Sequence, residues 1–176
     1  MLVSPQPVTA PTFDAVYRDQ VRFVWRTVRR LGVAEADVED VSQQVFVVVH
    51  RRLPTFRGES KLTTWLFGIL VRVVSDYRRS SYQRRRSDQP VPEVAVGGEP
   101  HDQLDEARRR ALLDRLLDEL DEEKRTVFVL CALEGMSVKD AAECMGAPLQ
   151  TTYSRLTAAR TRLTQRAAEL ENMGPA

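Results

Sequence analysis

Apolar residues recur at steps of three and four along most of the chain, and this spacing is the strongest constraint on its fold. One stripe begins at Phe13 and runs through Trp25 to Leu31, and a second lies within residues 38–49. Six valines in that second segment favour a strand by residue type, but their spacing follows the period of a helix. No stretch of any length alternates apolar and polar residues as a half-buried strand does. The sequence therefore predicts an all-α fold.

A change of composition divides the helical pattern into two parts. Residues 81–104 contain three prolines, two glycines and one aromatic residue, too little apolar surface to form a core. We therefore predict two small helical domains, at 13–80 and 105–170, joined by a flexible linker at 81–104. Residues 1–12, with three prolines and no charged side chain, are predicted to be a disordered tail.

Composition excludes several classes of protein. A chain of 176 residues with 43% hydrophobic and 29% charged residues is typical of globular proteins. No uncharged stretch approaches the ~20 apolar residues of a membrane helix, and the first residues lack the basic and apolar regions of a secretory signal, so a cytoplasmic location is expected. Two cysteines and two histidines leave few ligands for a metal site. No cofactor, metal or catalytic site is predicted.

The net charge of +1 hides a strong segregation of charge along the chain. Residues 51–86 carry ten basic side chains against two acidic ones, whereas residues 102–125 carry nine acidic against six basic. A second, smaller basic group lies within 155–166. Two basic regions separated by an acidic one suggest two contacts with a polyanion, although solvated helix faces would give the same pattern.

The segment from Ser137 to Leu163 has the form of a helix-turn-helix. Ser137 and Asp140 form a capping pattern, and Gly146-Ala147-Pro148 then separates a short helix from a longer one. On the longer helix one arc carries Leu149, Thr152, Leu156, Ala159, Arg160 and Leu163. The opposite arc carries Gln150, Thr151, Ser154, Ala158 and Thr161, flanked by Arg155, Thr157 and Arg162. Small polar groups beside arginines suit the major groove of DNA; a purely structural hairpin is the alternative.

This helix-turn-helix, Ser137-Val-Lys-Asp-Ala-Ala-Glu-Cys-Met-Gly-Ala-Pro-Leu at its start, resembles the fourth domain of bacterial sigma factors of the extracytoplasmic-function class. A second match is independent of the first: residues 37–46, Asp-Val-Glu-Asp-Val-Ser-Gln-Gln-Val-Phe, resemble the core-binding segment of those proteins. Residues 56–60, Phe-Arg-Gly-Glu-Ser, followed by Thr64-Trp-Leu-Phe, resemble the loop and helix that open the minus-ten promoter element. The two matches extend over residues 13–170 in the family's order.

The resemblance implies partners and a role for particular residues. The partners are core RNA polymerase, through its largest and second-largest subunits, duplex promoter DNA, the melted non-template strand and an anti-sigma factor. The surface implied to bind polymerase comprises Asp37, Glu39, Asp40, Gln43 and Gln44. The residues implied to contact the minus-ten element are Phe56, Arg57, Gly58, Glu59, Ser60, Lys61, Arg72, Arg78 and Arg79. Those implied to read the minus-thirty-five element are Gln150, Thr151, Tyr153, Ser154, Arg155, Thr157 and Ala158.

The sequence departs from the family's pattern at several of these positions. Arg72 stands where the family commonly has asparagine, and Asp76, one turn on, is placed to pair with it. On the recognition helix, Gln150 replaces a usual glycine, Thr152 a usual core valine and Tyr153 a usual basic residue. We therefore expect an unusual minus-thirty-five sequence or a weaker grip on that element.

The sequence as a whole predicts an all-α promoter-specificity subunit of RNA polymerase with no catalysis of its own. The main alternative is a helix-turn-helix regulator that binds duplex DNA without polymerase, which leaves the 56–60 loop unexplained. A nucleic-acid enzyme is a third class, but the sequence lacks the clustered carboxylates or metal ligands that such an enzyme needs.

Overall fold

The computed structural model describes residues 11–85 and 101–172, with side chains for 11–81 and 109–170, and every regular element in these ranges is helical. The helices are α1 (Phe13–Arg30), α2 (Val38–Arg52), α3 (Leu62–Arg85), α4 (His101–Asp118), α5 (Glu122–Phe128), α6 (Val138–Met145) and α7 (Leu149–Asn172). Short 3₁₀ turns at Glu35–Asp37 and Leu53–Thr55 and a π-helical turn at Val129–Leu133 connect some of them. The predicted all-α fold is confirmed.

The first domain, residues 11–85, packs α1, α2 and α3 around an apolar core. The Thr12 hydroxyl caps α1 by accepting a hydrogen bond from the Ala15 amide at 3.4 Å. In α2 the valines at the helical spacing, including Val45 and Val49, are fully buried, so burial of one stripe outweighs the strand preference of the individual residues. The polar side of α2 is left for other contacts.

The second domain, residues 101–172, contains α4 to α7. Asp121 caps the N-terminus of α5, because its carboxylate accepts a hydrogen bond from the Lys124 amide at 2.9 Å. The next two residues, Glu122 and Glu123, lie in the first turn of α5, where the helix dipole favours negative charge. Leu117 and Leu130 are fully buried beneath them.

The predicted linker of 81–104 is shorter at both ends than the sequence suggested. Helix α3 continues to Arg85 because no proline or glycine interrupts the chain between residue 80 and Pro90. At the other end, α4 begins at His101. Residues 86–100 and residues 1–10 of the predicted tail lie outside the described residues.

The two domains pack against each other in this structure. Buried residues of both domains, such as Leu70 in α3 and Ala141 in α6, belong to one continuous apolar cluster, and α3 contacts α6. The periodicity of each helix carries no information about this contact.

None of the described helices is both long enough and apolar enough to cross a membrane. Within the described residues there is no group of three or more His, Cys, Asp or Glu side chains that could hold a metal ion.

Candidate nucleic-acid interface

The helical hairpin of α6 and α7 has the local geometry that its sequence predicts. The Ser137 hydroxyl accepts a hydrogen bond from the Asp140 amide at 3.1 Å at the start of α6. Gly146 ends that helix in the left-handed region, at φ +60°, a conformation that favours glycine. Pro148 then precedes α7 and accepts a hydrogen bond from the Thr152 amide at 3.0 Å. The turn holds α7 across α6 as in a helix-turn-helix.

The inner face of α7 is packed as predicted, with two exceptions. Thr152 is fully buried, and its hydroxyl donates to the Pro148 carbonyl oxygen at 3.1 Å, so threonine takes a core position without an unpaired hydroxyl. Leu156 and Ala159 are buried beside it. Leu149 and Arg160 are exposed, because both lie at the edge of the predicted arc at 100° per residue.

The outer face of α7 presents small polar groups to solvent. Exposed residues on it are Gln150, Tyr153, Ser154, Thr157 and Ala158, and Thr151 is half-buried. The Tyr153 side chain is half exposed and projects a large ring where a basic residue is usual in the family.

Arg155, one of the two arginines that flank this face, does not extend freely into solvent. Its guanidinium forms an ion pair with Glu123 at the start of α5, and its side chain is 23% exposed. The acidic first turn of α5 thus neutralises the charge that the sequence assigned to DNA.

The loop before α3 encloses a cavity. The rings of Phe56 and Trp65 lie 5.2 Å apart, centre to centre, at an angle of 51°. Together with Thr55, Arg57, Glu59 and Ser60 they line a cavity of about 300 Å³, the lower end of the range for small-ligand sites. Gly58 turns this loop at φ +72°, which a side chain would strain. The cavity offers aromatic walls beside polar groups.

The basic residues that were predicted to contact the minus-ten element differ in how exposed their side chains are. Arg57, Lys61, Arg72 and Arg79 are exposed, and Arg79 approaches Asp76 at 3.8 Å. Asp76 therefore pairs with Arg79, whereas the sequence had suggested Arg72. Arg78 is different, because its side chain is only 17% exposed and pairs with Glu122 of the second domain at 2.9 Å. Burial lowers the pKa of Arg78, and the bond to Glu122 opposes that change.

Four of the five residues assigned to polymerase form an exposed polar row on α2. Glu39, Asp40, Gln43 and Gln44 all face solvent. Asp37 is occupied inside the domain, because its carboxylate accepts a hydrogen bond from the Tyr77 hydroxyl at 2.6 Å. Burial raises the pKa of Tyr77, and this hydrogen bond raises it further. Asp37 thus ties the start of α2 to α3.

An apolar groove between α1 and α2 was not predicted. It has a volume of about 530 Å³ and adjoins the polar row through Glu39 and Gln43. Three large apolar side chains stay exposed along it: Tyr17 (44%), Trp25 (41%) and Val47 (49%). Exposed apolar surface of this kind marks an interaction site. We call it the α1/α2 groove.

A signal for this groove was present in the sequence of α1. Phe13, Tyr17, Val21 and Trp25 recur every four residues, and each step of four advances 40° around a helix. The stripe therefore shifts around the helix relative to the core, and two of its members, Tyr17 and Trp25, stay exposed. The apolar stripe of α1 is wider than the side of one helix that faces a core needs to be. This width indicated a second apolar contact surface on α1.

Comparison with known proteins adds family matches in both domains. Residues 16–86 match the model of Sigma-70 region 2, and residues 110–163 match that of Sigma-70, region 4. The chain is 31% identical over 139 residues to the ECF RNA polymerase sigma-E factor of Haemophilus influenzae, covering 73% of each protein. It is 32% identical over 163 residues to the ECF RNA polymerase sigma factor SigE of Mycolicibacterium smegmatis, covering 87% of this chain and 60% of the relative.

Solved structures show the same fold. CnrH, in complex with the cytosolic domain of CnrY, aligns with a TM-score of 0.64 at 26% identity, over 89% of this chain and 88% of CnrH. The sigma factor RpoE of Bartonella quintana, in complex with the anti-sigma factor NepR, aligns with a TM-score of 0.71 at 22% identity, over 87% of this chain and 94% of that protein.

Proposed function

Because the chain belongs to the extracytoplasmic-function class of the sigma-70 family, we propose a role for each surface described above. The protein is an RNA polymerase sigma factor, which directs core polymerase to particular promoters and begins transcription. The chemistry of RNA synthesis belongs to the polymerase. We infer that this chain contributes recognition alone and acts in the cytoplasm, where core polymerase and promoter DNA meet.

The cavity of the first domain is proposed to hold an unstacked base of the non-template strand at the minus-ten element. Unstacking a base costs a few kcal/mol, which stacking on an aromatic side chain offsets. Phe56 and Trp65 supply such walls, and Glu59 and Ser60 supply polar groups at the same cavity. Arg57 lines the cavity, and it would contact phosphates together with the exposed cations Lys61, Arg72 and Arg79, which lie before and along α3. This aromatic cavity is the observation that carries the proposal.

The outer face of α7 is proposed to read the minus-thirty-five element in the major groove. Short side chains such as Ser154 and Ala158 allow close approach to base edges, while Arg155 supplies a cation for phosphate or guanine. Exposed Gln150 and Tyr153 lie on the same face. Since Arg155 pairs with Glu123, Arg155 must leave Glu123 before its guanidinium can bind DNA.

Arg155→Ala is expected to weaken promoter binding by about 1–3 kcal/mol, because it removes the basic contact of this face. The measurement is the affinity of the holoenzyme for a duplex fragment that contains the minus-thirty-five element. Arg22→Ala removes an exposed arginine from α1, outside the second domain, and should have little effect. Equal affinities for the two variants would remove Arg155 from the interface.

The polar row of α2 and the α1/α2 groove together are proposed to form the docking surface for core polymerase. Glu39 and Gln43 belong to both the row and the lining of the groove, so the surface is an apolar strip with a polar edge. Such a surface fits the side of a helix with an apolar stripe and basic or polar flanks. The family resemblance implies that this segment of α2 binds a coiled coil of the largest polymerase subunit, and an apolar strip with a polar edge suits such a partner.

The double variant Asp40→Ala and Gln44→Ala is expected to weaken association with core polymerase about tenfold, or about 1.4 kcal/mol, because it removes an acidic and an amide group from the docking edge. Competition with a labelled sigma factor for core polymerase measures the change. A control with Asp19→Ala and Gln165→Ala loses the same side-chain types from exposed positions on α1 and α7. If both double variants compete equally well, the α2 edge is not part of the docking surface.

An anti-sigma factor is the further partner that we propose. CnrH and the Bartonella quintana RpoE were each solved with a bound protein, CnrY and NepR respectively, and NepR is an anti-sigma factor. An inhibitor that covers the α1/α2 groove would exclude polymerase by competing for the same apolar strip.

Transcription by core polymerase on fragmented genomic DNA, with and without this chain, tests the proposed function. New transcripts that share upstream sequences would identify both promoter elements. If the chain gives no such transcripts but binds duplex DNA by itself, the protein acts as an autonomous regulator and the proposal is wrong.

A further inference from the structure

Gln150 lies near the centre of the outer face of α7. The core side of this helix is marked by four buried side chains, Thr152, Leu156, Ala159 and Leu163. At 100° per residue, the middle of that buried set lies about 150° around the helix from Gln150. Gln150 is exposed and occupies the first turn of α7. Its side chain therefore starts from the side of the helix that faces away from the rest of the domain.

The amide of Gln150 has no partner among the described residues: it takes part in no hydrogen bond with them. Two polar neighbours on the same helix are already engaged. Arg155 pairs with Glu123, and the Ser154 hydroxyl donates to the Thr151 carbonyl oxygen at 2.9 Å. Gln150 therefore presents an uncommitted donor and an uncommitted acceptor at the start of the recognition helix.

The residues that follow Gln150 on the outer face are small. Ser154 lies one turn on, and Thr157 and Ala158 lie two turns on; all three are exposed. Tyr153, the large residue nearby, is placed about 60° to one side of Gln150, toward the wall of a groove that receives this face. In a helix-turn-helix the first residues of the second helix contact base edges. Short side chains behind Gln150 allow that approach.

The chemistry of the glutamine amide selects one base. Its oxygen accepts a hydrogen bond and its nitrogen donates one. In the major groove adenine presents the N6 donor beside the N7 acceptor, whereas guanine presents two acceptors, cytosine a donor and thymine an acceptor next to a methyl group. Only adenine pairs with both groups of the amide. Each other base leaves one of them without a partner, which costs binding free energy.

The first turn of α7 holds no group that prefers guanine. Guanine is read most often by arginine or lysine, and residues 149–152 include neither. Tyr153 stands where the family usually has a basic residue. The nearest arginine along the helix is Arg155, in the second turn, and Glu123 already binds its guanidinium.

We propose that Gln150 specifies one base pair of the minus-thirty-five element: its amide accepts a hydrogen bond from N6 of an adenine and donates one to N7 of the same base. The inference rests on the proposed function, because it takes from there that the outer face of α7 enters the major groove. Glycine, the usual residue of the family at this position, has no side chain that could make the contact. The preference for adenine is therefore a property of this chain.

Selection of bound DNA from a pool of promoter fragments identifies the base pair that residue 150 reads. The pool is duplex, randomised at the minus-thirty-five element, and bound by the holoenzyme. With the wild-type protein we expect one position at which adenine is preferred about tenfold over each other base. Gln150→Ala should lose that preference and keep those at the other positions. Gln150→Glu should prefer cytosine there, because a carboxylate accepts from the N4 amino group.

Gln165→Ala is the matched control. Gln165 is another exposed glutamine on α7, about 60° around the axis from Gln150, but it lies about 22 Å farther along the helix. Its loss should leave every base preference unchanged. Both glutamines are exposed, and alanine is favourable within a helix, so both variants should keep the thermal unfolding midpoint of the wild type.

A single-atom change in the DNA tests the hydrogen bond itself. 7-Deazaadenine replaces N7 by a C–H group and still pairs with thymine. Placed at the selected position, it should weaken binding of the wild-type holoenzyme about fivefold, since one acceptor is lost. Gln150→Ala should bind the adenine and 7-deazaadenine duplexes equally, because it has no amide to donate.

The outcomes separate this inference from the proposed function. Gln150 does not read adenine if Gln150→Ala keeps every base preference of the wild type, if it loses a preference for a different base, or if 7-deazaadenine weakens both proteins equally. The proposed role of α7 would still stand in these cases, because the wild-type protein selects a defined sequence. If the wild-type holoenzyme selects no sequence at this element, the proposed role of α7 is itself overturned, and this inference with it.

Discussion

Trp25→Asp is expected to weaken the association of this sigma factor with core RNA polymerase by about 2–4 kcal/mol, or about 30- to 1,000-fold. Tryptophans that fill an apolar contact are the residues whose loss costs an interface most. Trp25 is 41% exposed at the end of the α1/α2 groove, so its ring is available to a partner. The aspartate would also bring an unpaired charge into the docked surface. Competition for core polymerase measures the change.

Leu112→Asp provides the control for this substitution. Leu112 is 44% exposed on α4, a similar degree of exposure, and it lies outside the groove. Neither variant should lower the thermal unfolding midpoint by more than a few degrees, since both positions are partly solvated already. If Trp25→Asp competes for polymerase as well as Leu112→Asp does, the groove does not bind polymerase.

Trp65→Ala is expected to weaken binding of the melted non-template strand by about 1–3 kcal/mol, roughly 5- to 150-fold. Removing the indole takes away one wall of the cavity and the support of the Phe56 ring, whose centre is 5.2 Å distant. Promoter opening by the holoenzyme should fall with it. The measurement is the affinity of the holoenzyme for a single-stranded minus-ten oligonucleotide.

The Trp65→Phe variant separates stacking from folding. A phenyl ring keeps an aromatic wall and should retain most of the affinity that alanine loses, while binding to the duplex minus-thirty-five element should be unchanged in both variants. Trp65 is only partly buried against the core, so the domain should remain folded at 25 °C. Full affinity in a folded Trp65→Ala protein would exclude a stacking role for this residue.

The helices could be predicted because their signals are local. The caps at Asp121 and Ser137 and the left-handed end at Gly146 each depend on residues a few positions apart, and the valines of α2 mark their own buried face. The helix-turn-helix and the 56–60 loop were recognisable for the same reason: their residues are contiguous. The inner arc of α7 was misjudged only at its margin, at Leu149 and Arg160.

The surfaces were harder to predict because exposure depends on what packs nearby. Asp37 was assigned to polymerase with its neighbours, but Tyr77, forty residues away, takes its carboxylate. The apolar stripe that begins at Phe13 predicted a helix, and only the packing of α1 on α2 shows that part of this stripe lines an open groove.

The sequence alone therefore determined the helices, the two-domain composition and the family. The tertiary structure alone decided how the domains meet and which charges they neutralise. Arg29 and Asp114 are 85 positions apart, and Arg30 and Glu134 are 104 apart, so no periodicity or motif links them. An ion pair of this kind exists only after both domains have folded and come together, because its partners share no element of local structure.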